Sequence, residues 1–440
     1  MATPVDIAEI RMWGRLIGAI AWDEVHKIGR FEFARPFLES GIEPSPLTMP
    51  LRAGVFEFPE LRRETFHGLP GFLSDSLPDR FGNLLINQWL AGQGRKPEGF
   101  SPVERLCYIG ERGMGALEFH PVLKSGTTGS APLEIANLVR LANEALAEKA
   151  ELHTRLSPDD GSEAKAEALR EIIQVGTSAG GARAKAVVAW HPETGEVRSG
   201  QIKDLPGYEP WLIKFDGVSG NRDKEIADPL GYGKTEFAYY LMAKAAGIEM
   251  SECRLLRESG RAHFMTRRFD RTLTGKKLHM QSLCAMAHFD FNLAGATSYE
   301  QALHVMMQLG LPDDQLEQQF RRTIFNVLAR NQDDHTKNIA FLMNKAGEWR
   351  LSPAYDVTFS YNPDGAWTGQ HQMSVNGKRD DFELEDLVAL GRHARLKTRR
   401  AKNVIESVQD VFERWPECAA AAGISEESAA VTARFFRQIR

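Results

Sequence analysis

Cysteine is scarce in this sequence. Four cysteines (Cys107, Cys253, Cys284 and Cys418) stand among 440 residues, none in a C-x-x-C pair. That spacing excludes the usual zinc knuckles and gives no disulfide framework. Free thiols fit a reducing compartment, so a cytoplasmic location is expected. No apolar run approaches the ~20 residues needed to span a bilayer. The opening Met1-Ala-Thr-Pro-Val-Asp-Ile-Ala-Glu-Ile has neither the basic region nor the apolar core of a signal peptide, so no membrane association is expected. An excess of positive charge is missing too. Lys and Arg number 54 against 59 Asp and Glu, for a net charge of −5. Such a chain has no general attraction to nucleic acid, and any DNA contact must come from a local patch or a partner. No internal repeat is visible. What is present is ordinary globular composition, 42% hydrophobic and 26% charged. At this length, two or three units around separate cores are expected.

The pattern along the chain divides it into three. Ile10 to Trp22, broken by Gly14 and Gly18, reads as hairpin strands, and Gly29 to Ala34 alternates like another strand. Leu77-Pro-Asp-Arg-Phe-Gly opens a helical run, and Ser101, Pro102 and Glu104 form a capping box for a second helix. Residues 1–122 thus read as a small α+β domain. Ser125-Gly-Thr-Thr-Gly-Ser is a linker by composition, and 132–173 are Ala-, Leu- and Glu-rich and helical. From Val175 come a small-residue loop, a strand at Ala186–Trp190, a strand at Glu209–Phe215, a helix from Thr235 to Ala246, and a strand at Arg261–Arg271. After about Ser282 the chain is mostly helical, apart from a strand pair near 339–352. Strands first and helices after predict an α+β fold with two lobes: 123–265 as linker helices and N-lobe, 266–440 as hinge and helical C-lobe.

The stretch richest in chemistry is Asn331-Gln-Asp-Asp-His-Thr-Lys-Asn. Asp333 and Asn338 lie five apart. Phosphoryl transfer needs a carboxylate beside the acceptor hydroxyl and a neutral oxygen ligand on Mg²⁺, and a kinase catalytic loop supplies them as Asp and Asn at this spacing. A strand pair then returns the chain to Asp356, a second carboxylate for the metal that bridges the phosphates. Gly176-Thr-Ser-Ala-Gly-Gly-Ala-Arg-Ala-Lys is neither a Walker A loop nor G-x-G-x-x-G. Its glycines would still let backbone N–H groups approach phosphate, with Lys185 adding charge. Lys214, flanked by apolar residues on a strand, needs an anionic partner, and Glu236 on the next helix is the candidate. Each feature alone has a bland reading as a turn, a loop before a strand, or a lysine reaching out from an edge. Their order is that of a kinase fold: glycine loop, strand lysine, helix glutamate, Asp-x₄-Asn, late Asp.

These residues resemble the HipA family of toxin kinases over essentially the whole chain. The likeness rests on Leu77-Pro-Asp-Arg-Phe-Gly, Ile109-Gly-Glu-Arg-Gly-Met-Gly, Ser178-Ala-Gly-Gly-Ala-Arg-Ala-Lys, the strand of Lys214, Arg268-Phe-Asp-Arg, Asp333-x-His-x-Lys-Asn338 and Ser352-Pro-Ala-Tyr-Asp356. The resemblance implies a serine/threonine protein kinase using ATP and Mg²⁺, with a protein-kinase-like core. Asp333 would be the catalytic aspartate, and Asn338 and Asp356 the metal ligands. Lys214 would contact phosphates with His335 beside them. Arg267 to Asp270 would form the hinge, with Phe269 against adenine and Asp270 near the ribose. Ser178, Gly180, Gly181, Ala182 and Lys185 would cover the phosphates. Ser178 matches the serine such kinases phosphorylate on themselves. A dianionic phosphate there would repel the phosphates of ATP, so self-phosphorylation should inactivate.

Two positions depart from the pattern. Asp334 stands where a small residue is frequent, and could bind metal or face water. Arg183 stands where some members carry glutamine. Family members pair with a helix-turn-helix antitoxin that binds operator DNA, which makes a HipB-like partner the expected one. The basic run Gly391 to Lys402 is a possible DNA touch-point, though in a chain of acidic total charge a solvated helix face is the better explanation. An aminoacyl-tRNA synthetase is a candidate target by analogy alone. A lipid or small-molecule kinase, or a non-catalytic co-repressor, are the alternatives.

Overall fold

A computed structural model describes residues 5–439 except 79–81, 84–85, 88–95, 97–98, 122–134, 136–137, 141–142, 144–182, 201–205, 219–221, 224–225, 228–230 and 273. The expected linker at 125–130, nearly all of the helical stretch 132–173, and the loop residues Ser178, Gly180, Gly181 and Ala182 therefore lie outside the described residues.

The N-terminal unit is built on a hairpin of β1 (Ile7–Met12) and β2 (Arg15–Asp23). Trp13 and Gly14 between them both have positive φ, 54° and 78°. A two-residue turn with both φ positive carries the twist that paired strands need. β3 (Ile28–Phe33), β4 (Val55–Phe56) and β5 (Leu117–His120) complete a sheet of order β4-β3-β2-β1-β5. The helix Pro102–Ile109 starts at the expected capping box: Glu104 N donates to Ser101 Oγ at 3.1 Å and Ser101 N to Glu104 Oε2 at 3.3 Å. Its Leu106 and Cys107 join Ile10, Phe31, Phe72 and Phe119 in one core.

The second sheet, order β11-β12-β8-β6-β7, contains β6 (Lys185–Trp190), β7 (Val197–Ser199), β8 (Glu209–Lys214), β11 (Cys253–Glu258) and β12 (Arg261–Arg267). Two-residue strands β9 (Arg222–Asp223) and β10 (Ile226–Ala227) pair with each other in a separate antiparallel ribbon. Strand β8 is central, and Lys214 at its end is in register with Lys185 on one side and Phe264 on the other. Phe100 and Tyr108 of the N-terminal unit pack into this sheet's core with Trp211 and Ile213.

The helix Tyr232–Ala245 starts three residues earlier than predicted, because Gly231 caps it in the left-handed conformation without a side-chain signal. Although it lies within 123–265, its Tyr239 and Met242 belong to the large C-terminal core. Gly233 makes the approach possible: a Cβ there would sit 2.3 Å from the Ala262 carbonyl oxygen. The bare backbone lets the first turn lie on β12 and carries Glu236 to the end of β8.

The C-terminal lobe is helical around a three-stranded sheet of β13 (His279–Ser282), β14 (Ala340–Met343) and β15 (Trp349–Leu351). The helix Asp313–Leu328 puts Leu316, Phe320, Ile324 and Phe325 into the core, and Met306 is buried there as well. In the basic run, Arg395 pairs with Asp313 and Arg400 with Glu317. Both arginines are spent on that helix. The arrangement is the predicted α+β one with two lobes. Among the described residues, no helix is long and apolar enough to cross a membrane.

Candidate active site at the lobe junction

Strand β8 ends on Lys214, whose side chain is only 12% exposed. An ammonium there needs anions, and it has two. Its Nζ donates to Glu236 Oε1 at 2.5 Å and also bonds Asp356 Oδ1. Burial would pull the lysine pKa down, but Asp356 and then Glu236 outweigh it and hold it above the usual lysine value. Burial would raise Asp356, yet Lys214, Lys185 and His335 together keep its carboxyl well below the usual carboxylate range. Glu236 goes the other way, because for this 2%-exposed side chain burial outweighs the attraction of Lys214. Its Oε2 is buried with no hydrogen-bond partner. Lys185 is buried opposite Lys214.

The hairpin β14–β15 does what the spacing predicted. Phe341 faces Leu351, and Ser352 N donates to Ala340 O at 2.9 Å, so the chain leaving Asn338 comes back at Asp356. Tyr355 Oη then donates to Lys337 O at 2.5 Å, clasping the two ends. Asp356 has φ +52°, a region Asp and Asn tolerate better than other residues, and its carboxylate turns to Lys214. Between β13 and β14, Asp333 lies on a loop closed by its own backbone. His335 N donates to Asp333 O at 3.0 Å, and Asn338 Nδ2 donates to the same oxygen at 2.8 Å. The Asn338 amide nitrogen is thus used internally, and its Oδ1 is the atom left to face a cation. His335 Nε2 is 3.9 Å from Asp333 Oδ1.

The chain belongs to the HipA family. A family model described as HipA-like C-terminal domain matches residues 177–415, more than half of the chain, and one described as HipA N-terminal domain matches 8–120. Among solved structures, the chain is similar to HipA of Shewanella oneidensis MR-1, solved with HipB and its operator DNA, at 16% identity. The match covers 97% of this chain and 94% of that one, with a TM-score of 0.61. At that identity the likeness speaks for the fold. A second match is the Helicobacter pylori proinflammatory kinase CtkA, at 12% identity over 51% of this chain and 91% of that one, with a TM-score of 0.32. No curated protein matches by sequence.

Within this HipA-family fold, two expectations need correcting. Asp270 does not face a nucleotide. It is fully buried, accepts Arg268 Nε at 2.9 Å, Arg268 Nη2 at 2.7 Å, Arg271 Nη1 at 2.6 Å and the Gly115 amide at 2.8 Å, and so fastens the N-terminal unit to the hinge. Asp334 neither faces water nor stands ready for a metal. It is 2% exposed and accepts from Tyr299 Oη at 2.7 Å, His371 at 2.8 Å and the Gln372 amide at 2.7 Å. The Arg267 guanidinium pairs with Glu209 at 3.1 Å, on the sheet side of the hinge. Phe269 stays part-exposed and packs on Tyr355, ring centroids 5.4 Å apart. Arg183 lies 3.4 Å above the Tyr232 ring, at the start of the helix that carries Glu236.

One site residue gave no sequence signal. The Trp367 indole Nε1 donates to Asp333 Oδ1 at 2.6 Å. A tryptophan flanked by small residues in Gly365-Ala-Trp-Thr-Gly was the only available hint.

Proposed function

We propose that this chain is the serine/threonine protein kinase of a toxin–antitoxin pair, transferring the γ-phosphate of ATP to a protein hydroxyl. The observation that carries this reading is Lys214 shared between Glu236 and Asp356, on the side of the hairpin where Asp333 and Asn338 stand. A strand lysine paired with a helix glutamate, next to a loop Asp, an Asn and a late Asp, is the role set of a kinase. Asp333 accepts the hydroxyl proton of the acceptor. Lys214 and Lys185 bind the nucleotide phosphates, and His335 lies beside them. Phe269 on Tyr355 offers an apolar face for the adenine, at the hinge that Arg267 enters.

The donor set also suits Mg²⁺, with one amide oxygen from Asn338 and one carboxylate from Asp356. Among the described residues no three His, Cys, Asp or Glu side chains converge as a metal cage. Mg²⁺ takes one or two protein carboxylates plus substrate phosphates and water, so a sparse site fits it. Bound there, it would neutralise charge on the phosphates.

Ser178 is the proposed self-phosphorylation site, a HipB-like helix-turn-helix antitoxin the proposed partner, and operator DNA is met mainly through that partner. An aminoacyl-tRNA synthetase is one protein target to test. The site of action is the cytoplasm. The experiment is incubation with radiolabelled Mg-ATP, alone and with bacterial lysate, beside Asp333→Asn and Ser178→Ala. Label on the wild type and none on Asp333→Asn is expected, with self-label lost in Ser178→Ala. No label anywhere, with ATP shown to bind, would replace this reading with a non-catalytic co-repressor.

A further inference from the structure

The segment after Asp356 crosses the catalytic loop and grips it from two sides. From its outer part, Trp367 Nε1 reaches Asp333 Oδ1 at 2.6 Å. From its inner part, His371 Nδ1 and the Gln372 amide reach the next residue, Asp334, at 2.8 and 2.7 Å. Gln372 Nε2 ties the two parts together, donating to Gln332 O at 3.2 Å and also to Trp367 O. Below, Asp334 is braced by Tyr299, whose hydroxyl also receives Asn326 Nδ2 at 3.1 Å. The backbone of Asp333 is fixed from a third direction by Asn338. The loop is therefore clasped at two adjacent carboxylates, one part-exposed and one buried, by residues of a single short segment.

A carboxylate left to itself can rotate about its last torsion, which has broad and nearly equivalent wells. A donor on one oxygen removes that equivalence. We propose that Trp367 is a positioning residue for phosphoryl transfer, holding Asp333 Oδ1 and so fixing how the carboxylate is turned toward the acceptor hydroxyl. This inference rests on the kinase reading. In the step it serves, the acceptor oxygen bonds to the γ-phosphorus and the bond from that phosphorus to the bridging oxygen breaks. The bridging oxygen leaves with the electron pair as part of ADP, and the hydroxyl proton passes to the Asp333 carboxylate. The tryptophan makes no bond to substrate, and its effect is on orientation alone.

The test removes the N–H and keeps the ring. Trp367→Phe, and Trp367 replaced by the isostere 3-benzothienylalanine, are compared with wild type for single-turnover self-labelling from radiolabelled Mg-ATP. The expected result is a roughly tenfold slower labelling in both, a part of what a well-placed base contributes. Half-saturating ATP and the melting temperature of the isostere should not change, which separates a loss of orientation from a loss of binding or of fold. If wild type labels itself and the isostere labels at the same rate, the positioning role is wrong. It is equally wrong if the slower labelling of the isostere comes with a lower melting temperature or a raised half-saturating ATP. A wild type that labels no faster than Asp333→Asn defeats the kinase reading itself, and this inference with it.

Discussion

Two ion clusters in this molecule are near mirror images in composition. At the cleft, one lysine (Lys214) is shared by two carboxylates, Glu236 and Asp356. At the hinge, one carboxylate (Asp270) is shared by two arginines, Arg268 and Arg271. Their surroundings differ. Asp270 is 0% exposed and takes four donors counting the Gly115 amide, so its bonding capacity is full. In the cleft, Asp356 is 32% exposed and Glu236 Oε2 has no partner. One cluster is closed and the other is open to exchange. The phosphate and cation binding proposed for the cleft needs a lysine that can change partners, whereas a joint between units needs the reverse.

The sharpest way to break that contrast is to remove the central group of each cluster. Asp270→Asn leaves two buried guanidinium groups facing a neutral amide. We expect a loss of about 3–5 kcal/mol in denaturant unfolding, the usual effect of halving a buried ion pair. Asp356→Asn should do the opposite kind of damage. Lys214 keeps Glu236, so stability should stay within about 1 kcal/mol. If Asp356 holds the metal as proposed, labelling from Mg-ATP should fall by at least roughly 100-fold. Equal losses of stability in the two variants would erase the distinction.

The cleft cluster was legible in the sequence and the hinge cluster was not, for a physical reason. Lys214 betrays itself by standing among apolar neighbours on a strand, and Asn338 and Asp356 by flanking a strand pair. Those are local facts. The resemblance placed Asp270 near the ribose, and nothing local argued otherwise, because one of the donors that saturate it is the Gly115 amide, 155 residues away. The burial of Asp334 and the contact from Trp367 were not legible for the same cause: the segment 367–372 that packs on the loop of Asp333 has no helix or strand periodicity. The capping box at Ser101 and the hairpin around Gly14 were readable because cap and turn chemistry is written within four residues. The glycine loop was readable as a motif, and its residues lie outside those described.

The joint between units also carries a pH dependence of its own, owed to two buried histidines. His279 is fully buried, its Nε2 3.0 Å from the Pro44 carbonyl oxygen, and burial pushes its pKa down to about 4. His288, at the same joint and within 3.1 Å of the Gly71 amide, is pushed down to about 4 likewise. Each is neutral in the fold. Below the ordinary histidine pKa of about 6.5 the unfolded chain takes up protons that the folded one does not, so stability is full above that value and falls as pH drops toward 4. At pH 5 the His279 contribution lost is about 2 kcal/mol. Melting curves at pH 7 and pH 5 should show this drop, and His279→Phe should flatten it, leaving the part owed to His288. A slope unchanged in His279→Phe would mean the joint does not sense protons through that ring.

The smallest effect should come from the cleft, and it separates the two roles of Glu236. If the glutamate only balances charge, Asp356 already does so in this structure, and Glu236→Gln should be silent. If it also sets where the ammonium points when Asp356 turns to a cation, its loss should appear in turnover alone. Burial holds the Glu236 pKa above the usual carboxylate value, so replacing its carboxylate by an amide relieves a desolvation cost as it removes an attraction. Stability should therefore move by less than about 1 kcal/mol, and labelling should slow by roughly tenfold, a shift of about 1.4 kcal/mol in the barrier. A variant that melts much lower, and labels slowly only for that reason, would place Glu236 with Asp270 as a fastener and leave Lys214 positioned by Asp356 alone.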